Sequence, residues 1–105
     1  MRRVFRIDTG ITPEENDIIT DAMTQDERDE ANSFVDVESI DDIDDDGFIV
    51  SYLICTEEQL EFVKRMADKY KIKIIIHDIT NMFLDGVVDI DDREFHKYRD
   101  EQLNK

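Results

Sequence analysis

Three times the chain repeats one four-residue signal: threonine, two residues, then glutamate or glutamine. It stands at "TPEE" from Thr12, at "TQDE" from Thr24 and at "TEEQ" from Thr56. In this arrangement the threonine hydroxyl accepts the amide of the third following residue, whose own side chain reaches back to the threonine amide, so two otherwise orphaned donors are satisfied. Each copy marks a helix start. Pro13 strengthens the first, because its missing N–H costs nothing at the first helical position.

Helical spacing follows each signal. Ile18, Ile19, Ala22 and Met23 form one apolar side after the first, and the helix reaches about Ala31, either bending at "TQDE" or restarting there as a second helix. Leu60, Val63, Met66, Ala67 and Tyr70 follow the third. The segments between the helix starts have the two-residue period of strands: "RRVFRID" puts Phe5 and Ile7 on one face, "SFVDVESI" alternates from Ser33 to Ile40, and "KIKIIIHD" aligns Ile72, Ile74 and Ile76. "FIVSYLIC" is apolar on both faces apart from Ser51, which suits a central strand. "TNMFLDGVV" contains a turn at Asp85 and Gly86, and "DDREFHKYRDEQ" reads as a final helix capped by Asp91 and turned inward through Phe95 and Tyr98.

The order is β-α-β-β-α-β plus a C-terminal helix, without a linker or repeat. It predicts one α+β domain over residues 1–105, a ferredoxin-like βαββαβ antiparallel sheet with helices on one face and an added C-terminal helix. That plan hosts enzymes, sensors, RNA binders and inhibitors alike, so fold alone gives no function.

Charge is more selective. The chain of 105 residues carries a net charge of -15. Residues 8 to 46 hold sixteen acids against one base, Arg28, whereas the remaining chain is nearly balanced. A single-sign field of that size disfavours nucleic acid and anionic membrane as direct partners and favours a basic protein surface or a cation. With 40% hydrophobic residues and six phenylalanines the chain is expected to fold despite this charge. The one cysteine, Cys55, has no internal partner and lies in an apolar run, so a buried thiol is expected; with no apolar stretch of the roughly 20 residues needed to span a bilayer, the expected compartment is the cytoplasm.

The acidic segment ends in "DDIDDDGFI". Placing Gly47 at the sixth position of a calcium loop puts Asp42, Asp44 and Asp46 at the first, third and fifth, but the twelfth is Leu53, where a bidentate glutamate is needed, and the flanks are strand-like. This makes the three aspartates a weak metal candidate. The preferred reading is a hairpin closed by Asp46-Gly47 in a type I′ turn. No cofactor is expected.

No phosphate loop, nucleophile elbow or zinc spacing occurs, and neither His77 nor His96 has the setting of a catalytic base. "DGFIVSYL" keeps fragments of an RNA-recognition strand, Gly47 and Phe48, but has Asp46 where a base belongs. No enzyme activity is expected. Glu14, Asp17 and Asp21 keep the three- and four-residue spacing that sets carboxylates ~5–6 Å apart on a helix. Asp26, Asp29 and Glu30 continue it, and Asp41, Asp42, Asp44 and Asp45 extend it at the turn. In size and charge the chain resembles DNA-mimic inhibitors, often phage products, which occupy sites evolved for nucleic acid; the resemblance implies a basic, nucleic-acid-binding protein as partner and names no target. The alternative expectation is a ferredoxin-like regulatory domain that binds a small ligand or forms a homodimer through its sheet.

Overall fold

A computed structural model describes residues 1–105. Its elements run β1 (Arg3–Asp8), α1 (Pro13–Ala22), α2 (Gln25–Ser33), β2 (Glu38–Ile43), β3 (Ile49–Cys55), α3 (Glu57–Lys69), β4 (Ile75–Asp78), α4 (Thr80–Leu84) and α5 (Arg93–Leu103). The architecture is α+β, with one four-stranded sheet in the order β2-β3-β1-β4 and every neighbouring pair antiparallel.

All three capping boxes form, at Thr12, Thr24 and Thr56. The second one splits the first crossover into two helices, because Met23 and Thr24 both take extended backbone angles before α2 begins.

The strand register explains the core. Val4 lies opposite Ile54, and Phe5 opposite Leu53. Val4 and Ile54 pack with Ile79, Phe83, Ile90, Phe95 and Tyr98, whereas Phe5, Ile7 and Cys55 pack with Leu60, Val63, Ile74 and Ile76 on the other side. Two apolar layers therefore flank the sheet. α3, with α1 across an apolar cavity, lies on one side, and the C-terminal helix α5 with the short α4 covers the other, as strands apolar on both faces require.

Four boundaries differ from the sequence reading. β2 begins at Glu38, not Ser33, because Phe34 ends α2 and packs edge-to-face on Phe62 at 5.5 Å, while Asp36 takes a left-handed φ of 59° that breaks an extended run. β4 begins at Ile75 because Lys71 is also left-handed, with φ 59°. Residues 80–84 form the short helix α4. α5 is capped by Asp92 instead of Asp91: its carboxylate accepts the amides of Glu94 and Phe95. No helix is long and apolar enough to cross a membrane.

Candidate interaction surface

The acidic residues divide according to what their carboxylates touch. On α1, Glu14, Glu15, Asp17 and Asp21 are exposed, and α1 buries none of its residues. On α2, Asp26 and Asp29 are exposed, with Asp29 accepting only the Gln25 side-chain amide at 2.8 Å. None of these six carboxylates is in an ion pair.

Two acids of α2 are used differently. Glu27 is the one buried residue of that helix; its carboxylate meets Lys69 Nζ and the Tyr70 hydroxyl, each at 2.6 Å, and the Thr24 amide at 2.8 Å. The Lys69 hydrogen bond first, then Tyr70 and the Thr24 amide, hold its carboxyl at about 2, well below the usual carboxylate range. Glu30 is half-buried and paired with Arg65, so it belongs to the attachment of α2 rather than to a free acidic array. With Phe34 on Phe62 and the Gln59 side-chain amide donating to the Val35 carbonyl at 3.0 Å, these contacts lay α2 antiparallel along α3. Sequence reasoning missed Glu27 as a structural residue; its place in the capping box was visible, but Lys69 and Tyr70 lie some forty positions away.

Arg28, the segment's one base, is exposed but bound to the backbone of α1. Its guanidinium donates to the carbonyls of Thr20 at 2.8 Å and Met23 at 3.3 Å, at the C-terminal end of α1. A cation there complements the carbonyl end of the helix and ties α2 back onto α1. It leaves the carboxylates un-neutralised.

The acidic turn closes a hairpin, but of another type than expected. The Asp44 amide donates to the Phe48 carbonyl at 2.9 Å, and the Gly47 amide to the Asp44 carbonyl at 3.0 Å. Gly47 has φ 85°, whereas Asp46 is not among the residues with positive φ. A type I′ turn needs positive angles at both, so the loop is instead a three-residue connection with glycine in the left-handed position. Asp44 is part of this scaffold, its carboxylate accepting the Asp46 and Phe48 amides, each at 2.9 Å. Asp42 accepts the Ile43 amide at 2.8 Å and Asp41 the Ser51 hydroxyl at 2.7 Å, whereas Asp45 and Asp46 are exposed. The metal candidates Asp42, Asp44 and Asp46 are not gathered into an ion-holding cluster; the fold brings no three histidine, cysteine or acidic groups together in that way.

The Ile49 amide donates to the Ile11 carbonyl at 2.9 Å, which starts α1 beside the hairpin turn. The first-turn acids of α1 and the turn aspartates therefore lie at one end of the sheet. Asp41 and Asp42 extend the charge along β2, the edge strand.

Both histidines lie beside an aspartate, His77 beside one distant in sequence and His96 beside a near one. His77 Nε2 lies 3.2 Å from Asp8 across the β1–β4 pair, and Asp8 also holds Arg6, two residues before it on β1, at 3.1 Å; His96 lies 3.0 Å from Asp89, which holds Arg99 at 2.5 Å. Arg99 and then His96 lower the Asp89 carboxyl. Neighbouring Asp78 instead pairs with Arg3 at 2.6 Å. Cys55 is buried, and burial pushes its thiol up to about 11. A mostly apolar cavity of about 280 Å³ separates α1 from α3 and the sheet, with Ile7, Ile19, Met23, Leu53, Met66 and Tyr70 among its lining.

No protein-family model matches the chain. No curated protein matches it either. Among solved structures it is similar to the de novo designed protein Ferredog-Diesel, at 18% identity and a TM-score of 0.35, over 73% of this chain and 83% of that one. A similarity at that level assigns neither fold nor function.

Proposed function

We propose that this protein is a small acidic interaction module, an inhibitor or regulator that occupies the basic, nucleic-acid-binding surface of a partner protein by mimicking nucleic-acid charge. The observation that carries this reading is the set Glu14, Asp17, Asp21, Asp26 and Asp29: all exposed, none in an ion pair, with Arg28 turned onto backbone carbonyls. Unpaired surface carboxylates of one sign repel each other and lower stability, and a cationic surface relieves that repulsion on binding. The turn residues Asp45 and Asp46 add to the same field, and the protein acts in the cytoplasm with no chemistry of its own.

The strand order β2-β3-β1-β4 supports reading the sheet as ferredoxin-like, with α1 and α2 together forming the first crossover and α3 the second. The C-terminal α4 and α5 are then an added layer on the face that such sheets often leave open. A second reading, a regulatory domain that binds a small ligand or dimerises through its sheet, is favoured by the apolar cavity under α1. Its dimer form has less to stand on, since Tyr52 and Ile40 on the outer sheet face pack against the α4–α5 layer.

Salt separates the two. The immobilised protein, exposed to host lysate, captures a nucleic-acid-binding protein at low ionic strength and loses it steeply as salt rises, whereas an apolar ligand or sheet-packed dimer hardly responds. Replacing Asp17, Asp21, Asp26 and Asp29 by lysine abolishes capture while the circular dichroism spectrum is kept. Capture that survives this change defeats the mimic reading.

A further inference from the structure

We infer that the free edge of β2 accepts an extended basic segment of the partner as an added strand, with one lysine or arginine side chain seated in the cleft beside that edge. This rests on the proposed acidic-interaction reading and specifies how the partner is held.

The backbone supplies the first part. β2 pairs on one side only, with β3. The Asp44 amide bonds the Phe48 carbonyl, and antiparallel pairs alternate, so Asp42, Ile40 and Glu38 direct their amides and carbonyls toward β3 while Ser39, Asp41 and Ile43 direct theirs outward. Apart from the Ile43 amide, which Asp42 takes, no hydrogen bond within the chain uses those outward groups. The edge is exposed from Asp41 to Ile43, and Ile43 leaves 48% of its surface bare. Unpaired edge groups of this kind are the template for strand addition.

The cleft supplies the second part. In the register, Ile40 lies opposite Tyr52 and Asp42 opposite Val50, so these side chains share the sheet face that carries the α4–α5 layer. There a cleft of about 410 Å³ opens beside the edge, lined by apolar Ile40, Tyr52 and Ile90 and by Asp41, Asp42, Asp89 and Asp91. Alternate side chains of an added strand project toward that face. Asp89 is already taken by Arg99 and His96 and Asp41 accepts the Ser51 hydroxyl, which leaves Asp91 and the second carboxylate oxygen of Asp42, whose first accepts the Ile43 amide, for an incoming cation. Long basic side chains match such a lining, since their methylene stems lie on apolar surface while the charged head reaches a carboxylate.

Charge chooses the occupant. Glu38, Asp41, Asp42, Asp44, Asp45 and Asp46 line this strand and its turn, so pairing with β2 of a second copy sets like charges opposite each other. The far edge, β4, follows Lys71 and Lys73, but a whole-chain charge of -15 opposes the approach of a second copy. A basic segment of a different protein meets neither obstacle.

The probe is a fluorescein-labelled nonapeptide alternating lysine and threonine, compared with its fully N-methylated analogue, which keeps the charge but donates no backbone hydrogen bond. At low salt the parent peptide binds at least tenfold more tightly than the analogue, and the amides of Ser39 and Asp41 shift and become protected from exchange. Removing two charges at the cleft (Asp42→Asn with Asp91→Asn) weakens binding more than removing two at the turn (Asp45→Asn with Asp46→Asn). Equal binding of the two peptides overturns strand addition but leaves the acidic-surface reading standing; failure of both peptides at low salt removes both. Equal effects of the two double variants overturn the seating of a basic side chain in the cleft. A peptide-independent dimer that protects Ser39 and Asp41 overturns the choice of occupant.

Discussion

The two crossovers of this fold begin with the same signal and end in opposite states. α3, which carries the chain from β3 to β4, buries Leu60, Phe62 and Ala67. α1 and α2 together carry it from β1 to β2, yet α1 buries nothing and α2 only Glu27. The first crossover is held mainly by polar contacts, Glu27 to Lys69 and Tyr70, Glu30 to Arg65, and Arg28 to the end of α1, with Phe34 on Phe62 where α2 ends. A capping box thus fixes where a helix starts and says nothing about how it is attached. Attachment through a few inward charged groups leaves almost a whole helix surface available for acids, whereas an apolar stripe consumes one face.

The largest expected difference is in the cores. Leu60→Ala, at a site 3% exposed, is expected to lower stability by about 2–5 kcal/mol in urea unfolding. The matching change on α1, Ile18→Ala at a site 70% exposed, is expected to stay within about 0.5 kcal/mol. Similar losses at both sites would erase the contrast.

Next comes the polar attachment. Glu27, with its carboxyl held at about 2 against an ordinary 4.5, contributes stability that is complete above about pH 4.5 and is lost as pH falls toward 2. Glu27→Gln is therefore expected to be less stable than the parent at neutral pH, with the gap closing as pH drops through that window. A gap of constant size would show that the charged form is not what holds α2.

Smaller again are the caps. Thr12→Ala, Thr24→Ala and Thr56→Ala each remove a formed box and should cost about 1 kcal/mol of local helix stability. Global unfolding registers the loss fully at Thr56, because α3 is part of the core. Amide exchange shows it at Thr12 as fraying confined to α1, with little change in the global midpoint.

Smallest is the effect of salt on the free protein. Raising ionic strength screens both the repulsion among the exposed acids and the surface pair of Glu30 with Arg65, so the shift in midpoint is expected to be slight and upward. A clear drop would mean that the ion pairs outweigh the repulsion.

Local signals explain what could be read without coordinates. The helix starts, the hairpin after Asp46 and the central place of "FIVSYLIC" all depend on neighbours in sequence, and each is present. The start of β2 was misplaced because "SFVDVESI" alternates convincingly, while the packing of Phe34 on Phe62 and the left-handed Asp36 depend on α3. The inward face of the final helix, through Phe95 and Tyr98, was legible, but its place over Val4 and Ile54 was not, because that packing joins opposite ends of the chain and runs through Phe83 in a segment of ambiguous period. Of the acidic array, exposure was legible and internal use was not. Glu30 and Asp44 look like their neighbours in sequence, and only the fold turns one toward Arg65 and the other onto the hairpin amides.

The sulfur at the end of β3 gives this chain a built-in clock. Cys55 is 1% exposed and its thiol is pushed up to about 11, so a maleimide or disulfide reagent at neutral pH meets almost no thiolate while the sheet and α3 stay closed. Each labelling event then counts one opening of the β3–α3 junction, and the rate against reagent concentration separates how often that junction opens from how quickly it closes. With a single cysteine in the sequence, that count comes from one place in the fold without an engineered probe.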